Sequence, residues 1–423
     1  MPSPDHPRAR VLLPLLLILL IPLCSCRSRS EDAAAARTIV LWEQEDAFVA
    51  PFLDGLFAEF RKLPGNEDVR VVRTHFHTED QRQQFQTASI AGTPPDLLLS
   101  PSDPAGIYCI AGFIHPTDAL FDMRRFNKPV VEAITLDGKT WGVPMSNGNH
   151  LMLFYNRSFV PEAPKSMSEL YDLCGRIQQK GAGSADARTV QHCLAFFLNE
   201  PFWLAPWLGA FGGWPIDGRT PTLDTPAMRR TLAFILDLKD KRKIVPQECD
   251  YNCMDALFKE RKAAMIINGD WALSTYETQL GKDFGAARIP RVDETGRWPS
   301  PMVSGKYFML SSKLEGEKLE LVRRFVEFMV SEKSQIAQVK ALKRLPALSR
   351  AAHAKVIMDN PVLRASMDQL LVGKPMPMAT EMRAVWDAMR PVYGRTVSGQ
   401  IAPDAAAALM QKEAAAKIAE MNE

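Results

Sequence analysis

The sequence predicts an α/β protein, and three observations support this prediction. From Thr38 to Ser100, strand and helix patterns alternate in the order β, α, β, α, β, which favours a parallel sheet covered by helices. The apolar run Ala263–Ile267 is bounded by the charge of Lys262 and by Asn268-Gly269, as expected for a strand buried on both faces. No flexible linker divides the chain, which indicates that two parts share several crossings.

The individual elements follow from local patterns. In the first part, strands are predicted at 38–42, 69–74 and 94–100, and amphipathic helices at 48–61 and 79–91. Further along, a hairpin with its turn at Asp137-Gly138, strands at 151–155, 193–197, 284–290 and 307–311, and helices at 227–241 and 319–330 are predicted. Ser166 and Glu169 form a capping box that opens a helix. From Ser331 to the end the pattern is mostly helical.

One corner, Asn268-Gly-Asp-Trp271, follows the predicted buried strand directly. We expect Asp270 to cap a new helix with its carboxylate and Trp271 to lie in the first turn. Ligands of open α/β sheets bind just past the carboxyl ends of strands, where Trp271 would be. The alternative is a hairpin at Asn268-Gly269 with Trp271 in the core.

Composition and charge narrow the class of protein. The chain has 423 residues, enough for two domains, with 46% hydrophobic and 24% charged residues, as in soluble globular proteins. Its net charge is +2, without a clustered basic stretch, so nucleic-acid binding is set aside.

The N-terminus has the layout of a secretory signal. Arg8 and Arg10 precede the apolar run 11–23, which is short for a membrane span. The following Leu23-Cys24-Ser25-Cys26 resembles a bacterial lipobox. We therefore expect a signal peptide at 1–25, lipid attachment at Cys26 and a tether at 26–37. Cys24 is the other possible acceptor, and an ordinary cleaved signal or an uncleaved anchor is the alternative.

Export makes disulfides possible among the remaining five cysteines. Cys174 and Cys193 could join a helix to its following strand, and Cys249 and Cys253 could form a local clip. Paired CxxC units with neighbouring histidines are missing from the sequence, so no structural metal site is expected.

Enzyme signatures are mostly missing from the sequence. It has no Walker A loop, GxSxG, HExxH, or GxGxxG after a strand, and neither a catalytic residue nor a cofactor is predicted. His75 and His77 have strand spacing without a nearby third ligand, which is more typical of a solvated face than of a metal site. A secreted carbohydrate-active enzyme with two opposed carboxylates is the alternative from this class.

Aromatic side chains instead recur beside polar groups where strands end. The corners are Trp42-Glu-Gln-Glu45, Glu200-Pro-Phe-Trp203, Asp270-Trp271 and Val385-Trp-Asp387. A sugar ring has an apolar face that packs on an aromatic plate and a rim of hydroxyls that carboxylates and amides can hold. The pattern therefore indicates carbohydrate binding.

With these corners in order, residues 38–418 resemble the extracellular sugar-binding proteins of ABC importers, of the maltose-binding-protein type. The most specific segments are Gly138-Lys-Thr-Trp-Gly-Val-Pro144, Leu153-Phe-Tyr-Asn-Arg157, Pro164-Lys-Ser-Met-Ser-Glu-Leu170, Glu200-Pro-Phe202, Ala264-Met-Ile-Ile-Asn-Gly-Asp-Trp271, and Met376-Pro377 followed by Trp386.

The resemblance implies the two-lobe periplasmic-binding-protein fold (type II-like), in which each lobe has a mainly parallel sheet flanked by helices and the ligand cleft lies between the lobes. It implies one lobe at 38–145 plus 305–353 and the other at 146–304 plus 354–423. The implied sugar contacts are Gln44, Glu45, Asp46, Ser102, Asp103, Asn149, Glu200, Phe202, Trp271, Gly305 and Trp386.

The function implied is that of a monomeric, lipid-anchored protein of the bacterial cell envelope. It would capture an oligosaccharide by closure of its lobes and deliver it to an ABC permease. A binding protein of the same fold that serves a sensor kinase or adhesion, or takes a non-sugar ligand such as a polyamine, is a further alternative.

Overall fold

The computed structural model of the chain describes residues 35–181 and 190–421. The predicted signal peptide and both candidate lipid acceptors, Cys24 and Cys26, lie outside these residues. Within the described ranges no helix combines the length and apolar character needed to cross a membrane.

The chain contains helices and strands throughout the described ranges. α-Helices lie at Ala50–Arg61, Thr78–Ile90, Ala105–Ile110, Lys128–Glu132, Met167–Gly181, Pro201–Ala210, Pro226–Leu236, Tyr251–Lys259, Leu273–Leu280, Gly316–Met329, Glu332–Leu342, Lys355–Met358, Pro361–Leu370, Glu381–Val397 and Pro403–Met421. Strands are β1 Thr38–Glu43, β2 Arg70–His75, β3 Leu97–Ser100, β4 Thr135–Leu136, β5 Lys139–Thr140, β6 Val143–Pro144, β7 Ser146–Asn147, β8 Leu151–Asn156, β9 His192–Ala195, β10 Ile216–Asp217, β11 Thr220–Pro221, β12 Ala263–Gly269, β13 Phe284–Ala287, β14 Met302–Val303, β15 Tyr307–Leu310, β16 Leu345–Pro346 and β17 Lys374–Pro375.

The first sheet has the strand order β2-β1-β3-β15-β6. Strands β1, β2 and β3 are parallel, as the alternation in the sequence predicts. Strand β15 runs antiparallel to β3 and to β6. The sheet is therefore mainly parallel, with β15 as its reversed strand.

The second sheet has the strand order β13-β8-β12-β9 and also combines parallel and antiparallel pairs. Strand β12 pairs parallel with β9 and antiparallel with β8, which is also antiparallel to β13. All seven residues of β12 are buried, as predicted for its apolar run. Strand β8 is therefore the reversed strand of this sheet.

Strands β8 and β15 are reversed for the same reason. Strand β8 is the first long strand after the chain leaves the first core, and β15 is the first strand after it returns. A chain that arrives from the other core enters a sheet at the carboxyl end of its parallel strands and has to run against them.

Two separate hydrophobic cores lie around these sheets. One contains buried side chains from Ile39 to Met145 and from Tyr307 to Ala351, together with Met378. The other contains side chains from 151–302 and 362–414. Met378 packs in the first core, whereas the resemblance implies that its segment, 354–423, belongs to the other lobe.

The segments that pass between the cores pair with one another. Strand β7 pairs with β16, β14 pairs with β17, and Gly148 forms an antiparallel bridge with Ser304. This pairing joins the two cores at several places.

Local structure agrees with most of the predicted signals. The Ser166 hydroxyl accepts from the Glu169 backbone N–H at 3.2 Å, and the Glu169 carboxylate accepts from Lys165 N–H at 2.7 Å. Arg37, expected in the tether, already forms an ion pair with Asp68 at 2.5 Å. Cys174–Cys193 and Cys249–Cys253 are disulfides in the structure, and Cys109 is a free thiol.

Candidate functional site

Trp271 lies at the end of β12, on the short 3₁₀ helix Asp270–Ala272. Its indole lies flat over Gly269, because a Cβ placed on this glycine would collide with three carbons of the ring. Trp271 is only partly buried. One face of the indole is therefore seated on backbone, and the side chain as a whole is still open to contact from outside.

Other aromatic side chains surround this indole. Its Nε1–H donates to the Tyr251 hydroxyl at 3.1 Å. The Trp203 ring stands almost perpendicular to it at a centroid distance of 6.3 Å, and the Phe202 ring is tilted at 6.4 Å. Trp203 is itself fixed by a hydrogen bond from its Nε1–H to the carbonyl of Ile267, at 2.9 Å. The structure therefore brings the Glu200–Trp203 corner and the Trp271 corner together.

Glu200 contributes a carboxylate to the same place. It is the N-cap of the helix Pro201–Ala210 and accepts from the Phe202 N–H at 3.5 Å. Arg390 donates to both of its oxygens, at 3.0 and 3.3 Å. Arg390 lies on the helix Glu381–Val397, one turn beyond Trp386, so this ion pair joins the aromatic group to that helix.

Trp386 and Asp103 line a cavity of about 250 Å³ between the two parts of the chain. Asp103 forms an ion pair with Arg82, which lines the same cavity. Burial lowers the pKa of Arg82. Arg383 reaches across from the Trp386 helix to Glu79, at 3.8 Å. Groups from both cores therefore converge here.

The other residues predicted to contact a sugar lie deeper in the protein or apart from the aromatic group described above. Ser102 is fully buried, and its Oγ is 3.1 Å from that of Ser304. Gly305 is buried, and a side chain there would collide with the Ser146 carbonyl. Gln44 donates to Ser100 Oγ at 3.2 Å. Asp46 is exposed, and Asn149 is partly buried with a backbone φ of +51°.

Glu45 is placed in a buried ion pair. It is 3% exposed, and its Oε2 lies 2.6 Å from Arg344 Nη1, while Oε1 lies 3.6 Å from Lys306 Nζ. Burial alone would raise the pKa of Glu45, but the charges of Arg344 and Lys306 outweigh it and hold the pKa below its usual value. Glu45 is therefore ionised and paired beneath the site.

The expectation that Asp270 caps a helix with its side chain is wrong. Gly269 occupies the N-cap position, and no side chain caps this short helix. The Asp270 carboxylate is buried against the segment 148–150, with Oδ2 at 3.7 Å from His150 Nδ1. Burial raises the pKa of Asp270, and the charges of His150 and Arg344 oppose that shift. The side chain turns towards the crossing segment, beside His150 and within the electrostatic field of Arg344.

Several residues of this site carried no recognisable signal in the sequence. They are Tyr251, Arg82, Lys306, Arg344 and Arg390, which act as partners of predicted residues. A lone basic or aromatic residue far from its partner in the chain has no pattern to identify it. Within residues 35–181 and 190–421 there is also no cluster of three or more metal-ligating side chains.

Gly269→Ala should disrupt the site more than its single methyl group suggests. The added Cβ would collide with the Trp271 indole, so the ring has to leave its seat. We expect a change in tryptophan fluorescence and at least a tenfold loss of ligand affinity, about 1.4 kcal/mol. Gly175→Ala is the matched control, since a Cβ there has open space. Equal affinity of Gly269→Ala and wild type would contradict the seating of the ring.

His150 should make stability depend on pH. Burial lowers its pKa, so the folded state favours the neutral imidazole. The stability that neutral, buried His150 contributes to the fold is then fully present above the unfolded-state pKa of about 6.5. This stability is lost as the pH falls below that value, by at most about 1.4 kcal/mol per pH unit. Urea unfolding of wild type and His150→Gln measures this, with Asp270 present in both. The advantage of wild type should shrink on acidification, and a constant difference would contradict the assignment.

Comparison with known proteins identifies the family and the fold of the chain. A family model described as bacterial extracellular solute-binding protein matches residues 55–365. The structure of the maltose/maltodextrin-binding domain MalE from Bdellovibrio bacteriovorus, bound to maltotriose, is 36% identical with a TM-score of 0.81, and the match covers 90% of this chain and 100% of that one.

Relatives in sequence include two oligosaccharide-binding proteins. The maltotriose-binding protein of Pyrococcus abyssi is 24% identical over 364 residues, which cover 84% of this chain and 76% of the relative. The galactooligosaccharide-binding protein of Bacillus subtilis is 24% identical over 373 residues, covering 85% and 84%. The predicted resemblance and the α/β periplasmic-binding-protein fold are confirmed. The chain belongs to the bacterial extracellular solute-binding protein family, whose members bind solutes and are not enzymes.

Proposed function

We propose that this protein is the lipid-anchored, oligosaccharide-binding component of an ABC importer, and that its ligand is a short maltooligosaccharide. The observation that carries the proposal is the Trp271 indole, which is seated on Gly269 and adjoins Phe202, whose backbone N–H donates to the Glu200 carboxylate. An aromatic plate beside a fixed carboxylate offers both contacts that a sugar ring needs, one for its apolar face and one for its hydroxyls.

The choice of sugar is supported by similar proteins. The Bdellovibrio domain is bound to maltotriose in its structure, and the Pyrococcus relative is named for the same sugar. The Bacillus relative is named for galactooligosaccharides, which share the ring shape and differ in hydroxyl orientation. We therefore expect an oligosaccharide of a few rings rather than a monosaccharide.

Binding would couple to closure of two lobes, at 38–145 plus 305–353 and at 146–304 plus 354–423. Trp271, Phe202, Glu200 and Trp386 would hold the sugar from one lobe and Asp103 and Asp46 from the other. A ligand that touches both lobes only when they are closed shifts the equilibrium towards the closed form. Glu45, Ser102 and Gly305 would support this surface from below.

Calorimetric titration of the mature protein tests the proposal. The panel is maltose, maltotriose, a galactooligosaccharide, glucose and, as a non-sugar, spermidine. We expect heat and a rise in melting temperature with maltotriose, without consumption of the sugar, and none with spermidine. Binding of no sugar in the panel, or cleavage of any, would overturn the proposal.

Cys26→Ala should release the protein from the membrane fraction of the cells that produce it. The variant lacks the thiol that would receive diacylglycerol, whereas Cys24→Ala keeps it. Metabolic labelling with a fatty acid measures attachment directly, and we expect it to be lost only in Cys26→Ala. Label retained in Cys26→Ala and lost in Cys24→Ala would assign the anchor to Cys24.

A further inference from the structure

Tyr251 is the hydrogen-bond partner of the Trp271 indole, and it occupies a constrained position. Its hydroxyl accepts from Trp271 Nε1 at 3.1 Å, and its ring stands at 75° to that of Trp203 with centroids 6.1 Å apart. Burial raises the pKa of Tyr251, so the phenol stays protonated. Two aromatic contacts therefore fix this side chain against the corner that carries Trp271.

The backbone around Tyr251 is closed by a covalent clip. Tyr251 is the first residue of the helix Tyr251–Lys259, and a disulfide joins Cys249, before the helix, to Cys253 in its first turn. Asp250 caps the same turn by accepting from Cys253 N–H at 2.8 Å. The Cys249 carbonyl accepts from Leu198 N–H at 3.2 Å, which connects the clip to the segment that leads into Glu200.

We infer that Tyr251, held by the Cys249–Cys253 disulfide, is a positioning residue that sets the orientation of the Trp271 plate and so the affinity for sugar. The inference rests on the proposed function for its ligand. In the absence of the clip, the first turn of the helix is held only by the Asp250 cap and the Leu198 hydrogen bond among the contacts described above, and the tyrosine hydroxyl holds the indole edge less firmly at one angle. The plate then has to be ordered by the sugar itself, which reduces affinity.

A double-mutant cycle with maltotriose tests the coupling. Tyr251→Phe removes only the hydroxyl and should weaken binding about three- to tenfold, the range expected for one hydrogen bond. In a Trp271→Phe background the same change should have no further effect, since phenylalanine has no N–H to donate. Equal losses in both backgrounds would overturn the inference. Tyr171→Phe is the control for loss of a hydroxyl elsewhere in the same part of the chain.

The second disulfide provides a matched control for the clip. Cys249→Ser with Cys253→Ser should weaken maltotriose binding by a factor similar to that of Tyr251→Phe. Cys174→Ser with Cys193→Ser removes the bridge between the helix Met167–Gly181 and β9 and should leave the dissociation constant within about twofold. If both pairs of substitutions weakened binding equally, the clip would have only a general structural role.

Fluorine NMR of protein labelled with fluorotryptophan decides the inference without sugar. The resonance that Trp271→Phe removes is assigned to Trp271, and Tyr251→Phe and the loss of the clip should each shift or broaden it. An unchanged resonance would overturn the inference. Should the wild type bind no maltotriose, the proposed function fails, while this spectrum still decides whether Tyr251 positions Trp271.

Discussion

Trp271→Ala should weaken sugar binding by roughly 30-fold or more while the protein stays folded. The indole is the flat surface of the site, and truncation of such a central aromatic residue typically costs about 2 kcal/mol or more, roughly 30-fold in affinity. The ring is partly buried and follows the last residue of β12 at the margin of the second core, so its loss leaves the buried residues of that strand in place. Titration calorimetry measures the affinity, and urea unfolding checks the fold.

A matched control distinguishes a ligand-binding role of Trp271 from a role in the hydrophobic core. Trp207 is fully buried in the second core, packed against Phe234 with ring centroids 5.1 Å apart. Trp207→Phe should lower stability and leave sugar affinity nearly unchanged. Wild-type affinity in Trp271→Ala would show that the residue is a core side chain and not a ligand contact.

Arg344→Met should have the largest effect on stability. Among residues 35–181 and 190–421, it leaves the more distant Lys306 as the remaining ion-pair partner of the buried Glu45 carboxylate. Removal of one member of a buried pair typically costs about 3–5 kcal/mol, because the other charge stays desolvated. Because Arg344 also lies in the electrostatic field of Asp270, the loss would extend to the Trp271 corner.

Urea unfolding measures the loss of stability in Arg344→Met, and two further variants test whether the buried ion pair causes it. Arg124→Met removes an exposed partner of Asp122 and should leave the stability nearly unchanged. Glu45→Gln combined with Arg344→Met removes both charges and should recover part of the stability lost in Arg344→Met alone. An Arg344→Met protein as stable as Arg124→Met would contradict the buried pair.

Local sequence patterns predicted most of the elements that build this site. The alternation from Thr38 to Ser100 depends on side-chain periodicity and turn residues, and the first three strands are parallel as expected. The apolar run Ala263–Ile267 is buried on both faces because both sides of its sheet are covered. Each of these features depends on neighbours along the chain.

What the sequence could not predict depends on distant partners. The reversal of β8 and β15 follows from where the chain enters each sheet, which no local period records. Asp270 has the residue type of a cap, yet its carboxylate lies against His150, which comes from another segment. The Glu45–Arg344 pair and the Tyr251–Trp271 hydrogen bond likewise join residues far apart in the chain.

A crystal structure of the mature protein with maltotriose tests the account most directly. We predict that one sugar ring stacks on the face of Trp271 opposite Gly269, that Glu200 contacts its hydroxyls, and that Asp103 approaches from the other lobe. A sugar bound away from Trp271, or crystals that stay free of maltotriose at saturating concentration, would contradict the account.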